Sequence, residues 1–505
     1  MLHATLSGPI SLSPSQGSAN WLKAFLHGLT MPKADIDLLA IDRGTVTAPA
    51  GCGKTHLIAD ALTRHSNRKP ILILTHTNAG VVALRGRLDR AGVSPKAYRL
   101  STIDGWAMRL ISMFPQRSGH HTRLLELASP RTDYPNIRVA AANLLKAGHI
   151  GDVLSSSYSR LVVDEYQDCS VRQHAVAAYA AQALPTCVLG DPMQAIFGFG
   201  GDNLADWDKH VCEYFPVVGE LSTPWRWINS GCESLGQWLL EVRAKLSIGD
   251  PVDLRTAPAG VTWVHLDGAN DHQKRLEAAR VKSSDGKDRV LIIGDSTSPS
   301  SQRQFASQTP GAVTVEAVDL KDLVAFAKTF DLSDPDALQR LAEFAQTVMR
   351  NVGPSDLVRR VQSLVRGTAR KKPSEVEATA LAFIRSPSHT IAIDLLVAIG
   401  KQSGVTSHRP AVLRACIKAL QLCAGTEGLS FHDAAIRIRE QNRLVGRPLP
   451  KRAVGSTLLL KGLEAEIAVI LNAEALDVRN LYVAMTRGSK LLTVCARTPN
   501  LNVRS

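Results

Sequence analysis

Short apolar runs that end in polar or glycine-rich turns recur in the first part of the chain, and a stretch with helical spacing follows each run. These strand and helix pairs cover residues 45–62, 71–90, 161–183 and 187–199. A strand followed by a helix, repeated in this way, predicts βαβ units and a parallel sheet. Residues 107–159 interrupt the series with a helical insert.

A second series of strands is predicted downstream. Apolar runs at 261–265 (VTWVH) and 289–294 (RVLIIG) indicate strands, and the pattern returns at 465–471 (AEIAVIL) and 491–495 (LLTVC). Between them, residues 317–447 carry apolar positions at spacings of three and four, which indicates helices. The sequence therefore predicts an α/β protein with two parallel-sheet lobes, each interrupted by a helical insertion.

These patterns also predict the domain boundaries. In chain order the segments are the first lobe (1–106), a small helical insertion (107–159), the first lobe continued (160–222), the second lobe (223–310), a larger helical insertion (311–450) and the second lobe completed (451–505).

Composition narrows the class of protein. A chain of 505 residues exceeds what one hydrophobic core usually organises, and its 45% apolar and 21% charged residues are typical of globular proteins. The net charge of +13 favours a polyanionic partner, because lysine and arginine side chains that neutralise phosphates release counterions. A solvated basic surface is the alternative reading of the same charge.

The cysteines and the absence of targeting signals bear on the cellular compartment of the protein. The eight cysteines show no spacing typical of a zinc site, which predicts reduced thiols. No leader peptide and no apolar run of bilayer length is evident, so we expect a cytoplasmic protein without a membrane partner.

The segment TVTAPAGCGKT combines an apolar strand, a glycine-bearing loop and the start of a helix, and it matches the pattern of a phosphate loop. Backbone N–H groups and the helix N-terminus would bind phosphates there, Lys54 would contact the terminal ones, and Thr55 would bind Mg²⁺. The residues predicted to contact the nucleotide in the loop and at the start of the helix are Ala50, Gly51, Cys52, Gly53, Lys54, Thr55 and His56.

Two further segments carry candidate chemistry. LVVDEYQD places Asp164 and Glu165 at the end of an apolar strand, where Asp164 suits Mg²⁺ and Glu165 suits the base that activates water. In GDPMQAIFGF, Gln194 suits a γ-phosphate sensor, and Phe197 and Phe199 offer faces for stacked bases. Taken alone, each segment has an ordinary structural alternative: solvated carboxylates in the first, and core aromatics in the second.

The order of segments along the chain resembles the helicase motifs of the UvrD/Rep family. The segments are the phosphate loop, ILILTHTN (71–78), STIDGWA (101–107), DEYQD, GDPMQAIFGF, TPWRW (223–227), STLLLKGLEAEIAVI (456–470) and NLYVAMTRGS (480–489). This resemblance spans nearly the whole chain. It implies two RecA-like lobes, ATP and Mg²⁺ as cofactors, ATP hydrolysis between the lobes, and 3′-to-5′ movement on single-stranded or tailed duplex DNA.

The resemblance also implies roles for single residues. On the nucleotide side, Gln16 would read adenine, Trp225 would stack on it, Arg226 and Arg487 would act as catalytic arginines at the γ-phosphate, and Gly462 and Glu464 would lie near the nucleotide. On the DNA side, the implied contacts are His76, Thr77, Asn78, Thr102, Trp106, Phe197 and Phe199.

Departures from the family pattern fall mainly on the DNA side. His76 replaces the usual aromatic residue, the TFHSF-like motif reads Thr102-Ile103-Asp104-Gly105-Trp106, and Phe199-Gly200 replaces Trp-Arg. The histidine expected before Lys461 is Leu458. The pattern thus predicts intact ATP chemistry with altered contacts to the DNA strand.

Two classes of function remain open. The first is a DNA-dependent ATPase that moves along single strands, and the second is an ATP-switched subunit that regulates a partner nuclease with little unwinding of its own. A small-molecule kinase does not explain KGLE and YVAMTR in the distal half. The compact insertions, DEYQD and the TIDGW variant resemble the helicase-like GajB family of Gabija anti-phage systems, which implies an OLD-family nuclease (GajA-like) as a partner in a hetero-oligomer.

Overall fold

The computed structural model describes residues 36–198, 202–282, 286–316, 320–444 and 450–502. The chain forms two compact units, of which the first ends at Ile248 and the second begins at Gly249.

One parallel sheet organises the first unit. Its strands, in chain order, are β1 (Arg43–Thr47), β2 (Ile71–Thr75), β3 (Tyr98–Thr102), β4 (Arg160–Val163), β5 (Thr186–Gly190) and β6 (Val217–Glu220). They form a six-stranded sheet in the order β3-β2-β4-β5-β1-β6. Every neighbouring pair is parallel, as expected for strands joined by helical crossovers.

Both faces of this sheet are buried, and the side chains of β2 alternate between the hydrophobic cores on the two faces. Leu72 and Leu74 belong to the hydrophobic core on one face, whereas Ile71 and Ile73 belong to the core on the other. Successive side chains of a strand point to opposite faces, so a strand that is buried on both faces reads as an unbroken apolar run. The run ILILT therefore fits a central parallel strand.

The helices of the first unit connect and cover these strands. The α-helices are Lys54–Arg64, Asn78–Arg90, Ile103–Met113, Pro115–Ser118, Pro130–Lys146, Gly151–Ser157, Val171–Ala180, Trp225–Ile228 and Glu233–Ser247. Short 3-10 helices cover Leu38–Ala40, Thr122–Glu126, Tyr166–Asp168 and Pro192–Gln194, and a π-helix covers Trp207–Cys212. The helices between β3 and β4 lie within residues 103–157, and the small insertion was predicted at residues 107–159.

A second parallel sheet organises the second unit. The strands are β7 (Val252–Asp253), β8 (Val261–His265), β9 (Val290–Ile293), β10 (Val313–Thr314), β11 (Met349–Arg350), β12 (Thr406–Ser407), β13 (Arg452–Gly455), β14 (Ala465–Ile470), β15 (Gly488–Ala496) and β16 (Asn500–Leu501). Six of them form a parallel sheet in the order β10-β13-β9-β14-β15-β8, and β11-β12 and β16-β7 form antiparallel pairs.

The α-helices of the second unit are Asp271–Ala278, Pro299–Gln308, Lys321–Thr329, Ala337–Val348, Pro354–Val365, Glu375–Arg385, His389–Lys401, Pro410–Gly425, Phe431–Leu444, Thr457–Leu460 and Val478–Met485. Short 3-10 helices cover Leu254–Thr256 and Ala473–Ala475. The helices between β10 and β13 share one hydrophobic core, whose buried members run from Leu320 to Ile438. The insertion is therefore stabilised largely by its own core.

The predicted fold class is confirmed, since two six-stranded parallel sheets covered by helices form a mixed α/β fold consistent with two RecA-like lobes. The two units divide at Ile248, later than the predicted start of the second lobe at residue 223. The reason is that helix Glu233–Ser247 belongs to the first unit, where its Arg243 pairs with Asp191 after β5. Within the described part of the chain, no helix is both long and apolar enough to cross a membrane.

Candidate nucleotide-binding site

The loop after β1, which is predicted to bind phosphates, turns at two glycines. Gly51 and Gly53 have φ angles of 72° and 95°, in the left-handed region that favours glycine, and the helix begins at Lys54 directly after Gly53. A Cβ atom on Gly51 would lie 2.6 Å from the Trp227 ring, and one on Gly53 would lie 3.0 Å from Trp225. The glycines therefore allow both the turn and the close approach of the tryptophans.

The TPWRW segment packs against this loop. The backbone N–H of Arg226 donates to the carbonyl oxygen of Gly51 over 3.1 Å, and the Arg226 guanidinium lies 5.3 Å from the centre of the Trp227 ring. Two residues that the family resemblance assigned to ATP, Trp225 and Arg226, are thus brought to the predicted phosphate loop by the first unit.

The thiol within the loop is protected. Cys52 is 2% exposed, and its Sγ lies 3.7 Å from the carbonyl oxygen of Ala50. Burial raises the pKa of the Cys52 thiol to about 12, so the group stays protonated near neutral pH. His56 lies in the first turn of the helix that follows.

Lys54 lies among carboxylates. Its Nζ is 3.1 Å from Oε1 of Glu165, which follows β4 with a φ angle of 55°. Burial lowers the pKa of Lys54, but the nearby carboxylates of Glu165, Asp164 and Asp191 outweigh it, so the pKa is raised overall. The ammonium group therefore remains charged and is ready to contact an anionic ligand.

Asp164 and Thr55 are the predicted ligands of Mg²⁺. Burial, followed by the charge of Glu165, raises the pKa of Asp164 to about 6, while Lys54 and Arg87 lower it. Nη1 of Arg87 also donates to the Thr55 hydroxyl over 3.2 Å, so one guanidinium lies close to both predicted ligands. A carboxylate and a hydroxyl are oxygen ligands of the type that Mg²⁺ prefers, and these residues fit that ion.

A chain of hydrogen bonds connects the predicted base to the predicted phosphate sensor. Nε2 of Gln167 donates to Oε2 of Glu165 over 2.6 Å, and Oε1 of Gln167 accepts from the backbone N–H of Asp191 over 3.1 Å. Oδ2 of Asp191 accepts from Nε2 of Gln194 over 3.0 Å, and Oδ1 accepts from Nε of Arg243, also over 3.0 Å. The ends of β4 and β5 are therefore coupled by side chains.

Four residues in these contacts were missed by the sequence analysis: Gln167, Asp191, Arg87 and Arg243. Gln167 and Asp191 lie inside the quoted DEYQD and GDPMQ segments, so their position could have suggested a role. Arg87 and Arg243 lie on helices far along the chain from their partners, and no local pattern distinguishes them from surface arginines.

On the predicted DNA side, two threonines cap helices. The Thr77 hydroxyl accepts from the N–H of Gly80, and the Thr102 hydroxyl accepts from the N–H of Gly105, each over 3.0 Å. These helix N-termini follow the carboxyl ends of the neighbouring strands β2 and β3, and helix N-termini in general favour phosphates. Asn78 is exposed in the first turn of its helix.

The ring centres of His76 and Phe197 lie 5.3 Å apart, with their planes inclined at 53°. Trp106 requires a correction. It is 3% exposed and packs in the hydrophobic core with Ile103 and Leu110, so its ring offers no face to a base.

Two further predicted contacts, Gln16 and Phe199, lie outside the described residues.

The second unit brings together the remaining predicted residues. Arg487 is 3% exposed, and its guanidinium donates to the carbonyl oxygens of Val483 (2.8 Å) and Leu463 (3.3 Å). Leu463 lies between Gly462, which has a φ angle of 78°, and Glu464. The two motifs that the resemblance assigned to ATP in the distal half therefore contact each other.

Comparison with known proteins agrees with part of this picture. Residues 125–208 match the family model of the UvrD/REP helicase N-terminal domain. This segment contains Asp164, Glu165 and Gln194, and the match supports a UvrD-like helicase superfamily and a helicase-type ATPase. No curated protein matches the chain.

Proposed function

We propose that this chain is an ATP-dependent DNA translocase or helicase of the UvrD type, which hydrolyses ATP to move 3′-to-5′ on single-stranded DNA. The observation that carries the proposal is the Lys54–Glu165 pair, with 3.1 Å between Nζ and Oε1, beside a glycine-bearing loop. An ammonium group suited to phosphates and a carboxylate suited to activating water lie side by side there, which supports the proposal.

The reaction begins with a change of partner at Lys54. The phosphate oxygens of ATP compete with the Glu165 carboxylate for the ammonium group, and their charge favours the exchange. Once released, Glu165 accepts a proton from the attacking water, while Gln167 still donates to its other oxygen and holds its orientation. Mg²⁺ held by Thr55 and Asp164 would supply positive charge at the phosphates.

Two arginines and the loop that carries Gln194 complete the proposed chemistry. Arg226 and Arg487 would stabilise the charge that develops on the transferred phosphoryl group. Gln194 donates to Asp191, so a new partner at the γ-phosphate would change the hydrogen bonds of the loop that carries Phe197. This gives ATP state a route to the predicted DNA contacts.

The DNA side would use phosphates more than stacked bases. The capped helix N-termini after Thr77 and Thr102 suit backbone phosphates, and His76 with Phe197 offers one aromatic platform. The net charge of +13 fits a partner of this kind.

The test is ATP turnover by the purified full chain with and without single-stranded DNA, followed by strand displacement on duplexes with 3′ or 5′ tails. We expect single-stranded DNA to raise ATP turnover, and we expect added salt to weaken DNA binding and with it this stimulation. The protein should displace the strand only from duplexes with a 3′ tail. Lys54→Ala serves as the inactive control. Turnover that ignores DNA would contradict the proposal.

The burial of Trp106 favours keeping a second candidate, a DNA- or nucleotide-sensing ATPase subunit that regulates a partner nuclease with little unwinding of its own. A motor that grips a strand by stacking loses one platform when that ring lies in the core. ATP hydrolysis without strand displacement, together with ATP-dependent control of a nuclease, would favour this candidate.

We further propose a role in anti-phage defence with an OLD-family nuclease, in the manner of a Gabija system. The support is the resemblance of DEYQD and the TIDGW variant, together with the compact insertions. Purification at native expression should recover the nuclease, and phage protection should require both proteins and Lys54. Recovery of the chain alone, with no effect on phage, would point to a solitary repair helicase.

A further inference from the structure

A cluster of charged side chains lies in the first unit, outside the phosphate loop, and is centred on Arg138 of helix Pro130–Lys146. Nε and Nη2 of Arg138 donate to Oδ1 and Oδ2 of Asp104, each over 2.7 Å, and Nη1 donates to Oδ2 of Asp202 over 2.6 Å. The side chains of Arg138, Asp104 and Asp202 are 14%, 18% and 11% exposed. One guanidinium therefore holds two mostly buried carboxylates.

The carboxylates belong to segments with different predicted roles. Asp104 lies in the first turn of helix Ile103–Met113, whose N-terminus is capped by Thr102 on the predicted DNA side. Asp202 follows the loop that carries Gln194 and Phe197. Arg138 therefore bridges a helix on the predicted DNA side and a segment that follows Gln194 by eight positions in the chain.

The same cluster reaches the segment that follows the predicted catalytic carboxylates. Nε2 of Gln173 donates to Oδ1 of Asp104 over 3.1 Å, and Nη1 of Arg172 donates to Oδ1 of Asp202 over 2.7 Å. Backbone hydrogen bonds also join the segment after Asp202 to the chain around Ser170. The N–H of Val171 donates to the carbonyl oxygen of Asn203, and the N–H of Ala205 donates to the carbonyl oxygen of Cys169, each over 2.9 Å.

Arginine is suited to this bridge. Its planar guanidinium can donate in parallel to one carboxylate and still reach a second, which lysine cannot do with the same geometry. Without the guanidinium, two mostly buried carboxylates would repel each other, and their segments would lose the group that bonds both carboxylates directly.

We propose that Arg138 is a positioning residue that couples DNA bound at the N-terminus of helix Ile103–Met113 to the loop that carries Gln194. DNA contact shifts Asp104, Arg138 transmits the shift to Asp202, and the loop sets Gln194 for hydrolysis. The inference rests on the proposed function, because it concerns stimulation of that ATPase by single-stranded DNA. A purely structural bridge would instead stabilise the fold without affecting stimulation selectively.

The test compares the full chain with Arg138→Gln, Arg138→Lys and Asp202→Asn, and uses Arg172→Gln as the matched control. Arg172 also contacts Asp202, but its side chain is 43% exposed and its bond does not reach Asp104. Each protein is assayed for basal ATP turnover, for maximal turnover with a single-stranded oligonucleotide, for the oligonucleotide concentration that gives half of that maximum, and for its melting temperature.

We expect Arg138→Gln and Asp202→Asn to lower the stimulation ratio by about tenfold, within the range of coupling between linked sites, while basal turnover stays unchanged. Arg138→Lys should recover part of the ratio, and Arg172→Gln should keep it. The double variant Arg138→Gln/Asp202→Asn should lose no more than either single variant, because both break one bridge.

Several results would overturn the coupling. These are a wild-type stimulation ratio in Asp202→Asn, equal losses of basal and stimulated turnover, or a ratio lost equally in Arg172→Gln. If Arg138→Gln does not fold, Asp202→Asn and Arg138→Lys decide the question. A wild-type protein whose turnover ignores DNA would instead overturn the proposed function itself, and the coupling with it.

Discussion

Arg243→Met should destabilise the first unit far more than the loss of a surface charge would. Arg243 contacts two carboxylates in different surroundings: Asp191, which is 0% exposed, at 3.0 Å, and Glu220, which is 53% exposed, at 3.3 Å. Methionine keeps most of the aliphatic stem and removes the guanidinium. The change in stability therefore reports the loss of the charge and its hydrogen bonds, with little loss of packing.

The magnitude follows from the buried partner. Removing one member of a buried ion pair costs roughly 3–5 kcal/mol, because the other charge is left uncompensated. Two donors to Asp191 remain, the backbone N–H of Met193 at 3.2 Å and Nε2 of Gln194 at 3.0 Å, and Arg243 itself is 16% exposed. We therefore expect a loss of about 2–3 kcal/mol in the free energy of unfolding.

Glu220→Gln is the matched control, since it removes the exposed partner of the same arginine. An exposed pair contributes about 0–1 kcal/mol, so this variant should unfold close to wild type. The measurement is urea unfolding followed by tryptophan fluorescence, with the slope against urea checked for constancy. The reasoning is refuted if Arg243→Met lies within about 0.5 kcal/mol of wild type, or if both variants lose the same amount.

Other predictions concern the site itself. Lys54→Ala should lose both ATP binding and hydrolysis, whereas Glu165→Gln should still bind a fluorescent ATP analogue and fail to turn ATP over. Arg487→Ala should nearly abolish turnover without unfolding the chain, and near-wild-type turnover would argue against its catalytic role. Asp164→Asn should stabilise the metal-free protein at pH 8, because the raised pKa of Asp164 means that the ionised carboxylate costs free energy in the folded state. Melting scans should show this gain in stability shrink as the pH falls through about 6 toward 4. ATP turnover should resist iodoacetamide at pH 7.5, because burial keeps the Cys52 thiol protonated, and rapid inactivation traced to that residue would contradict this.

The convergence of the residues predicted to bind the nucleotide follows from the topology of the first sheet. The phosphate loop follows β1, Asp164 follows β4 and Asp191 follows β5, and the carboxyl ends of parallel strands meet at one edge of a sheet. An apolar run and the polar residues after it were therefore sufficient to predict which side chains converge. The contacts of Arg243 and Arg87 required knowledge of helix packing, which no local pattern supplies.

Trp106 shows how a motif can mislead where periodicity would not. Ile103, Trp106, Ala107, Leu110 and Ile111 are all buried, and their spacings of three, one, three and one describe one apolar helix face. The resemblance favoured a stacking role because Trp106 is the aromatic residue that ends the TFHSF-like motif. The periodicity, applied to the same helix, predicts the core position that the structure has.

The Arg138 cluster connects two of the positions at which the sequence departs from the UvrD/Rep pattern. Asp104 stands within the altered TFHSF-like motif, and Asp202 follows the altered Phe199-Gly200 position. A lone carboxylate at either place would carry a burial cost and would repel DNA phosphates. Joined through Arg138, the two carboxylates become acceptors that fix helix Ile103–Met113 and the chain at Asp202 to each other. Under the proposed function, altered direct contacts to DNA therefore need not weaken the response to it, provided that the bridge carries the coupling.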